Sequence, residues 1–448
     1  MKGISRKSAG SRLCATYPHP HTPPLWSAKR ATMAVGRLRA GVGGGVLLFS
    51  MVTIVVVGAV PALPLLVLYY PWYVAWTSRA GAIFQAWVGL LLRLFWGMRF
   101  VVSGDDMGRA QPSVVMSNHR TRLDWALLWP LFSAAGTMDA LRIVLKADIK
   151  KLPIMGWSSQ QTRYLFLSRK WEADAAHMTA MLGVIADQGR YSVLIFPEGT
   201  DLHPRGRDAS NTFADKHGLP HYDYVLHPRT RGMAHVVSVL RADPIAPAAA
   251  VYDVTLAYRG AIAQNEVHLL TGVSPDEVHS HVEAFRVADL PPDAAGTEAW
   301  VAARFARKER VLRHFYTHPH CSLPEAIAAV DAAAPATAVG VDSAAPALVA
   351  APAAPAASPD PATAPTTAAT SVHDVRLLAQ LNGCTLMTAL NVLHLSLWVR
   401  YPLAFVAFIA AAALFFHVLM PRVGGLDRVE VALHGRRAAA APPRPKAD

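Results

Sequence analysis

The chain has 448 residues, of which 52% are hydrophobic and only 17% are charged, and its formal net charge is +12. This composition is rich in apolar residues for a soluble enzyme of this length. Residues 1–100 contain eleven Lys and Arg residues and no acid, so the rest of the chain is close to neutral. A nucleic-acid partner is therefore not expected, because such a protein carries its basic excess on the folded domain. A basic extension beside an apolar segment instead predicts a membrane anchor near anionic lipid.

The first hundred residues are predicted to form a basic extension and a membrane anchor. Residues 1–44 are predicted to be disordered, as a cytosolic tail or a transit peptide, with the glycine-rich run 41–45 as a flexible joint. Residues 45–70 are uncharged and long enough to span a bilayer. Residues 83–100 are predicted to return through the membrane or to lie along its interface, with a buried core helix as the alternative. Which of these holds decides the side of the membrane on which the following domain lies.

Residues 101–320 are predicted to form a catalytic domain in which strands and helices alternate. This pattern predicts an α/β fold, a largely parallel sheet flanked by helices, with the site beyond the strand ends. Strands are predicted at 99–103, 113–118, 162–168, 191–196 and 249–258, and the alternating segment around 279–285 also fits a strand. Helices are predicted at 123–134, 172–188, 232–241 and 296–316. The basic residues of the last helix are predicted to face solvent or lipid: Arg304, Arg307, Lys308 and Arg310.

The loop after the second predicted strand carries the first candidate site. Residues 117–125 read SNHRTRLDW, which places His119 between an apolar strand and an apolar helix, with Asp124 five residues later. A histidine held by a carboxylate can serve as a general base, since the carboxylate fixes the imidazole tautomer and stabilises the imidazolium. The alternative is that Asp124 closes a capping box with Thr121 and that His119 is an ordinary loop histidine.

A second motif decides between these interpretations. Residues 193–200 read VLIFPEGT, again a buried strand that enters a polar, glycine-bearing turn. Asn-His-x-x-x-x-Asp followed by Phe-Pro-Glu-Gly-Thr at this separation resembles the glycerolipid acyltransferase family. The flanking segments 169–171 (RKW) and 224–230 (YVLHPRT) are similar to its lysocardiolipin acyltransferase branch. The resemblance covers about residues 50–320 and, more weakly, 375–435.

This resemblance implies roles for particular residues. His119 is expected to be the catalytic base, with Asp124 as its partner. Glu198, Gly199 and Thr200 are expected to shape the pocket for the glycerol and phosphate of the acceptor. The family fold is expected for the catalytic domain, with N- and C-terminal membrane helices.

The sequence departs from the commonest family pattern directly after Thr200. The family has an arginine there, which would grip a phosphate in a bidentate fork, whereas this chain has Asp201, which would repel it. Asp201 therefore favours acceptors that carry their phosphate as a diester over lysophosphatidic acid. Phosphate contacts are then expected from other basic residues, namely Arg169, Lys146 or Arg207. For Arg169 the alternative is a solvated charge at a strand end.

Metal and cofactor chemistry is not indicated. The three cysteines, Cys14, Cys321 and Cys384, lie far apart and form no Cys-x-x-Cys pair, so neither a zinc site nor a disulfide framework is expected. No Gly-x-Ser-x-Gly elbow is present, which argues against a serine hydrolase. No metal and no cofactor are predicted, and acyl-CoA is expected as a co-substrate.

The C-terminal third is predicted to contain a linker, a membrane region and a tail. Residues 321–372 are mostly Ala, Pro, Thr and Ser, and we predict a disordered tether that cannot bury a core. Residues 373–435 are predicted to form one or two membrane spans, and 402–420 is an uncharged run of 19 residues. Residues 436–448 are predicted to be an Ala/Pro tail.

The function expected from these features is acyl transfer from acyl-CoA to a free hydroxyl of a lysophospholipid. Lysocardiolipin, lysophosphatidylglycerol and lysophosphatidylinositol are the acceptors that the resemblance implies. The alternatives are transfer to lysophosphatidic acid, a CoA-independent phospholipid transacylase, and an inactive lipid-binding scaffold. The expected location is the endoplasmic reticulum membrane, with a mitochondrial or mitochondria-associated membrane as the alternative.

Overall fold

The sheet at the centre of the molecule has eight strands, as seen in a computed structural model. The structure describes the backbone of residues 25–108, 111–333, 373–374 and 378–440, and the side chains of 35–108, 111–333 and 385–436. The strands are β1 Arg99–Gly104, β2 Ser113–Ser117, β3 Leu141–Lys146, β4 Leu165–Leu167, β5 Ser192–Ile195, β6 Ala250–Gly260, β7 Pro275–Arg286 and β8 His373–Asp374. Their order across the sheet is β4-β3-β5-β2-β6-β7-β1-β8.

Most neighbouring strands are parallel. Only the β6–β7 and β1–β8 pairs are antiparallel in the described sheet, and the five other pairs are parallel. Strands β2 and β5 are buried along their whole length, as expected where helices cover both faces of a parallel sheet. The predicted α/β fold with a largely parallel sheet flanked by helices is confirmed.

The helices cover both faces of the sheet, and further helices lie at both ends of the described part of the chain. Their bounds are α1 Leu25–Thr53, α2 Leu65–Leu68, α3 Tyr70–Trp96, α4 Asp124–Leu127, α5 Trp129–Ala134, α6 Met155–Gln161, α7 Trp171–Ala186, α8 Pro204–His217, α9 Thr230–Arg241, α10 Glu266–Leu270, α11 Ala294–Thr317, α12 Leu323–Ala332, α13 Leu378–Arg400, α14 Pro402–Leu414, α15 Met420–Arg422 and α16 Leu426–Ala440. A π-helical turn continues α1 over Ile54–Ala59. The predicted helix 123–134 is divided into α4 and α5, and Pro130 lies in the first turn of α5.

Alternate residues of the central strands enter two separate cores. Met116 and Ile195 face a core that contains the apolar sides of α7, α9 and α11. Val115 and Leu194 face the opposite core, which is completed by α3, α4 and α5. This period-two division fixes the strand register, because a slip of one residue would move every side chain to the other face.

The predicted disorder of residues 1–44 is wrong for residues 25–44, which belong to α1, while residues 1–24 lie outside the described part of the chain. The glycines of the expected joint lie within this helix and permit close packing. A Cβ atom at Gly43 would lie 2.5 Å from Phe95 Cβ, and one at Gly44 would lie 2.2 Å from Leu270 Cδ2. The lack of side chains at these positions thus lets α1 pack tightly against α3 and α10.

Residues 83–100 form part of a core helix and the first strand. Val88 and Leu92 of α3 are buried in the core that also contains β2 and β6 residues. In addition, Gln85 Nε2 donates a hydrogen bond of 2.7 Å to the Tyr164 hydroxyl. Of the possibilities that the sequence left open, the structure shows the buried core helix.

Two helical segments of the described chain are long and apolar enough to cross a membrane, judged by length and composition: Val35–Leu68 and Pro402–Arg422. In Val35–Leu68 half of the most apolar window is buried inside the protein, whereas in Pro402–Arg422 only 11% is buried. The second segment therefore presents most of its apolar surface outward.

The predicted linker 321–372 begins with a folded helix. Ser322 and Glu325 form a capping box at the start of α12, and Leu323, Ala326 and Ile327 are buried against α11. The prediction that this segment cannot bury a core is therefore wrong for 323–332, because alanine favours a helix and is small enough to pack closely. Residues 334–372 lie outside the described part of the chain. Similarly, the predicted tail 436–448 begins inside α16.

Three of the basic residues of α11 are buried, so the prediction that they face solvent or lipid is wrong. Lys308 Nζ lies 2.6 Å from Asp253 Oδ1, and Arg304 Nε lies 2.7 Å from Asp253 Oδ2. Arg307 forms a bidentate pair with Asp331 of α12, with both distances 2.7 Å. Glu283 of β7 pairs with both arginines as well, so the acidic partners lie on β6, β7 and α12, and the local helix pattern could not reveal them. Arg310 is exposed, as predicted.

Candidate active site

The two sequence motifs lie side by side at the carboxyl edge of the sheet. Strands β2 and β5 are parallel neighbours with Met116 paired to Ile195, so the loops that follow them begin next to each other. A backbone hydrogen bond of 2.8 Å from Leu202 N to His119 O joins the two loops. This is the edge at which open parallel sheets bind their ligands.

His119 and Asp124 form a hydrogen-bonded pair. His119 Nδ1 lies 3.0 Å from Asp124 Oδ2. Because a carboxylate only accepts, Nδ1 carries the proton and donates, which leaves Nε2 as the nitrogen that can accept a proton. The imidazole stacks on the Phe196 ring with a centroid distance of 4.3 Å. The histidine side chain is 17% exposed, whereas the Asp124 side chain is fully buried, so only the base is accessible to a substrate.

Asp124 also accepts hydrogen bonds from Thr121. Its Oδ2 accepts from Thr121 N at 3.0 Å, and its Oδ1 accepts from Thr121 Oγ1 at 2.9 Å. The local bonds with Thr121 and the bond with His119 therefore coexist. Asp124 orders the turn and orients the imidazole at the same time.

Sequence reasoning missed Tyr258, a further partner of Asp124. The Tyr258 hydroxyl donates a hydrogen bond of 2.5 Å to Asp124 Oδ1 and is fully buried near the end of β6. Burial, together with the nearby Asp124 carboxylate, raises the pKa of Tyr258 well above its ordinary value, so the hydroxyl remains a donor. No short-range signal points to it, because 134 residues separate the two side chains.

Asn118 anchors the loop that carries His119. Its Nδ2 donates to Leu256 O at 2.9 Å, and its Oδ1 accepts from Leu256 N at 2.8 Å. The side-chain amide thus forms the two hydrogen bonds that the backbone of a neighbouring strand would form with Leu256. These bonds fix the start of the loop to β6. The asparagine of the motif has a structural role that the sequence did not specify.

Glu198 connects two loops through its buried carboxyl group. Its Oε1 accepts from His119 N and its Oε2 accepts from Leu226 N, both at 2.8 Å. Burial raises the pKa of Glu198 to about 8, although the two backbone donors oppose that shift. The residue as a whole is only 3% exposed, and its carboxyl group faces the protein backbone. The contact with the acceptor that the resemblance implies for Glu198 stays a prediction.

Gly199 lies in the turn beside the two loops. Its φ is +72°, a left-handed conformation that favours glycine. Arg169 Nη2 donates a hydrogen bond of 2.7 Å to Gly199 O, so the structure brings Arg169 to the turn, as its predicted role requires. Thr200 follows, half-buried, with its Oγ1 3.5 Å from Asp201 Oδ1.

The other predicted phosphate contacts lie differently. Lys146 ends β3 and pairs with Asp148 at 2.9 Å, and within the described chain no hydrogen bond or ion pair joins it to the motif residues. Arg207 is exposed on α8. The roles of both residues stay predictions. Within the described residues, no group of three or more His, Cys, Asp or Glu side chains is arranged to hold a metal ion.

Two family models match the chain. The model described as Acyltransferase matches residues 99–259, and the model described as Acyltransferase C-terminus matches residues 268–330. The protein named lysocardiolipin acyltransferase 1 of Gallus gallus is 38% identical over 262 residues, which are 58% of this chain and 69% of that protein. The chain belongs to the glycerolipid acyltransferase family, in its lysocardiolipin acyltransferase branch.

Other relatives support the same branch. The lysocardiolipin acyltransferase 1 of Danio rerio is 42% identical over 257 residues, 57% of this chain and 66% of that protein. Lysophosphatidylinositol acyltransferase 10 of Caenorhabditis elegans is 34% identical over 249 residues, 54% of this chain and 63% of that protein. The resemblance inferred from the two motifs is confirmed, and both motifs of this acyltransferase lie inside the first matched region.

Proposed function

We propose that this acyltransferase is a membrane-bound acyl-CoA:lysophospholipid O-acyltransferase. The observation that carries the proposal is the His119–Asp124 pair, with an accessible imidazole held by a buried carboxylate at the ligand-binding edge of the sheet. Family membership supports acyl transfer as the chemistry. A lysophospholipid supplies the free hydroxyl, and acyl-CoA is the co-substrate.

In this proposal His119 is first a base and then an acid. Its Nε2 takes the proton of the acceptor hydroxyl while that oxygen attacks the thioester carbonyl carbon, and Asp124 stabilises the imidazolium. When the tetrahedral intermediate collapses, the carbon–sulfur bond breaks and the imidazolium returns the proton to the departing thiolate. The products are an ester and free CoA. No acyl-enzyme forms, because the acceptor oxygen is itself the nucleophile.

The proposed acceptors carry their phosphate as a diester, namely lysocardiolipin, lysophosphatidylglycerol or lysophosphatidylinositol. The names of the relatives from Gallus gallus and Caenorhabditis elegans support this group. Asp201 supports it as well, since Gln264 Nε2 donates to its Oδ2 at 3.0 Å and keeps the carboxylate beside the turn. A fixed negative charge there repels the monoester dianion of lysophosphatidic acid more strongly than a singly charged diester.

The proposed location is the endoplasmic reticulum membrane, with a mitochondrial or mitochondria-associated membrane as the alternative. The outward apolar surface of Pro402–Arg422 and the lipid substrates of the family support membrane association.

The reaction can be tested in membranes that contain the protein, with a radiolabelled acyl chain supplied either as acyl-CoA or in a phospholipid. With labelled acyl-CoA, we expect label in the product of each diester-phosphate lysophospholipid and less label in that of lysophosphatidic acid. Transfer chiefly to lysophosphatidic acid would contradict the acceptor class. Transfer only from a labelled phospholipid, with acyl-CoA omitted, would show a transacylase instead.

A further inference from the structure

Two arginine side chains meet at the Gly199 turn. Arg169 donates to Gly199 O at 2.7 Å from one side. From the other side Arg229 lies against the glycine, and a Cβ atom built at Gly199 would be 3.2 Å from Arg229 Cδ and 3.4 Å from its Nε. Both arginines are exposed at the carboxyl edge of the sheet, next to the loop that carries His119.

The fold directs both side chains to this point. Arg169 lies two residues after the end of β4 and has φ +68°, a conformation that is rare for a residue with a side chain. Arg229 immediately precedes α9, and its backbone N donates to Pro197 O at 2.7 Å. Arg169 is therefore attached to the Phe-Pro-Glu-Gly-Thr turn through its side chain, and Arg229 through its backbone N–H.

The two positive charges have no acidic partner in the described part of the chain. Arg169 is bonded there only to a neutral carbonyl, and Arg229 forms no side-chain hydrogen bond or ion pair with a described residue. Asp201, the acid next in sequence to the turn, is instead bonded to Gln264. Two neighbouring guanidinium groups repel each other, and an anion between them removes this cost. A guanidinium presents a fork of donors that matches phosphate oxygens.

We propose that Arg169 and Arg229 together bind the phosphodiester of the acceptor lysophospholipid. Arg229 then supplies, from a different loop, the charge that the commonest family pattern places directly after Thr200. The inference rests on the proposed function, because it assumes that a lysophospholipid occupies this edge. It adds Arg229 to the site and explains how a chain with Asp201 still holds a phosphate.

The phosphate could also come from CoA, so the test measures both substrates. Initial rates of acyl transfer to lysophosphatidylglycerol are measured for the wild type, Arg229→Gln and Arg231→Gln in membranes. Arg231 is the matched control, because its guanidinium lies over the Trp171 ring at 4.2 Å and makes no hydrogen bond or ion pair with the described residues of the turn. For Arg229→Gln we expect KM for the lysophospholipid to rise about ten- to hundredfold, the loss of one charge-assisted contact, with little change in kcat or in KM for acyl-CoA.

Combining the substitutions shows whether the two arginines share one phosphate. The KM of Arg169→Gln/Arg229→Gln should rise by less than the product of the two single effects, since the first loss already weakens the shared contact. An unchanged KM for the lysophospholipid in Arg229→Gln would overturn the inference, as would a rise in KM for acyl-CoA alone. If the wild type transfers no acyl chain at all, the proposed function fails, and that result is distinct from a failure at Arg229.

Discussion

Replacing Glu198 by Gln should slow catalysis without weakening substrate binding. The carboxyl oxygens accept from His119 N and Leu226 N, both at 2.8 Å. A glutamine keeps one acceptor oxygen and presents an NH2 group to the other backbone N–H, so one buried hydrogen bond is lost. That loss costs about 1–3 kcal/mol. If half of that cost falls on the His119 loop, kcat falls about two- to tenfold, because 1.36 kcal/mol is a factor of ten in rate.

The matched control is Glu309→Gln. Glu309 is also a buried glutamate that accepts from backbone amides, those of Tyr224 and Val225 at 2.8 and 3.1 Å, but it does not touch His119. Steady-state kinetics and thermal denaturation are measured for both variants. We expect both to lose stability and only Glu198→Gln to lose kcat. Equal losses of kcat would refute the reasoning, and a raised KM for the lysophospholipid at constant kcat would show that Glu198 contacts the acceptor instead.

The same residue predicts how stability changes with pH. Burial raises the pKa of Glu198 from its ordinary value of 4.5 to about 8. Between these values the folded protein binds one more proton than the unfolded chain, so this contribution to stability is present below pH 4.5 and declines as pH rises towards 8. Glutamine does not titrate. The midpoint of thermal unfolding should therefore decline more between pH 6 and 8.5 in the wild type than in Glu198→Gln, and parallel curves would contradict the assignment.

Three further substitutions test the supporting structure. Tyr258→Phe removes the hydroxyl that donates to Asp124 and should lower kcat about tenfold. Its control is Tyr191→Phe, which removes a buried hydroxyl that donates to Ala246 O at 2.7 Å. The control should lower only the midpoint of thermal unfolding. Gly199→Ala should cost about 1–2 kcal/mol of stability in denaturant unfolding, because alanine at φ +72° is strained. Asp253→Ala leaves the buried Lys308 without an acidic partner among the described residues and leaves Arg304 paired with Glu283 alone, so it should cost about 3–5 kcal/mol in the same assay. A change below about 1 kcal/mol would contradict the ion-pair account.

The motifs and the main sheet could be predicted because their signals are local. The apolar runs that end at Ser117 and Ile195 identify two neighbouring buried strands, and the polar residues directly after them identify the site. Strand β3 was not predicted. Its Arg142 makes the segment look unlike a core strand, yet the residue is 3% exposed and donates to Gln188 Oε1 at 2.7 Å. A partner 46 residues away satisfies the guanidinium, and no sequence pattern shows this.

In the site, too, contacts between residues that are distant in sequence could not be predicted. His119 and Asp124 are five residues apart, so their pairing could be predicted from the motif. Tyr258, Leu226 and Arg229 reach the same place from β6 and from the loop before α9, and only the folded sheet brings them there. Long-range contacts of this kind decide how the base is held and which charges surround the acceptor.

The most direct test of the account removes the base. His119→Ala is compared with His221→Ala, because His221 also pairs with an aspartate, Asp215, at 2.7 Å, but on the exposed surface. Both variants and the wild type are assayed with labelled acyl-CoA and lysophosphatidylglycerol in membranes that contain equal amounts of protein. The account predicts that His119→Ala loses acyl transfer by at least about a thousandfold while His221→Ala matches the wild type. Equal activity of His119→Ala and the wild type would contradict the assignment of His119 as the catalytic base.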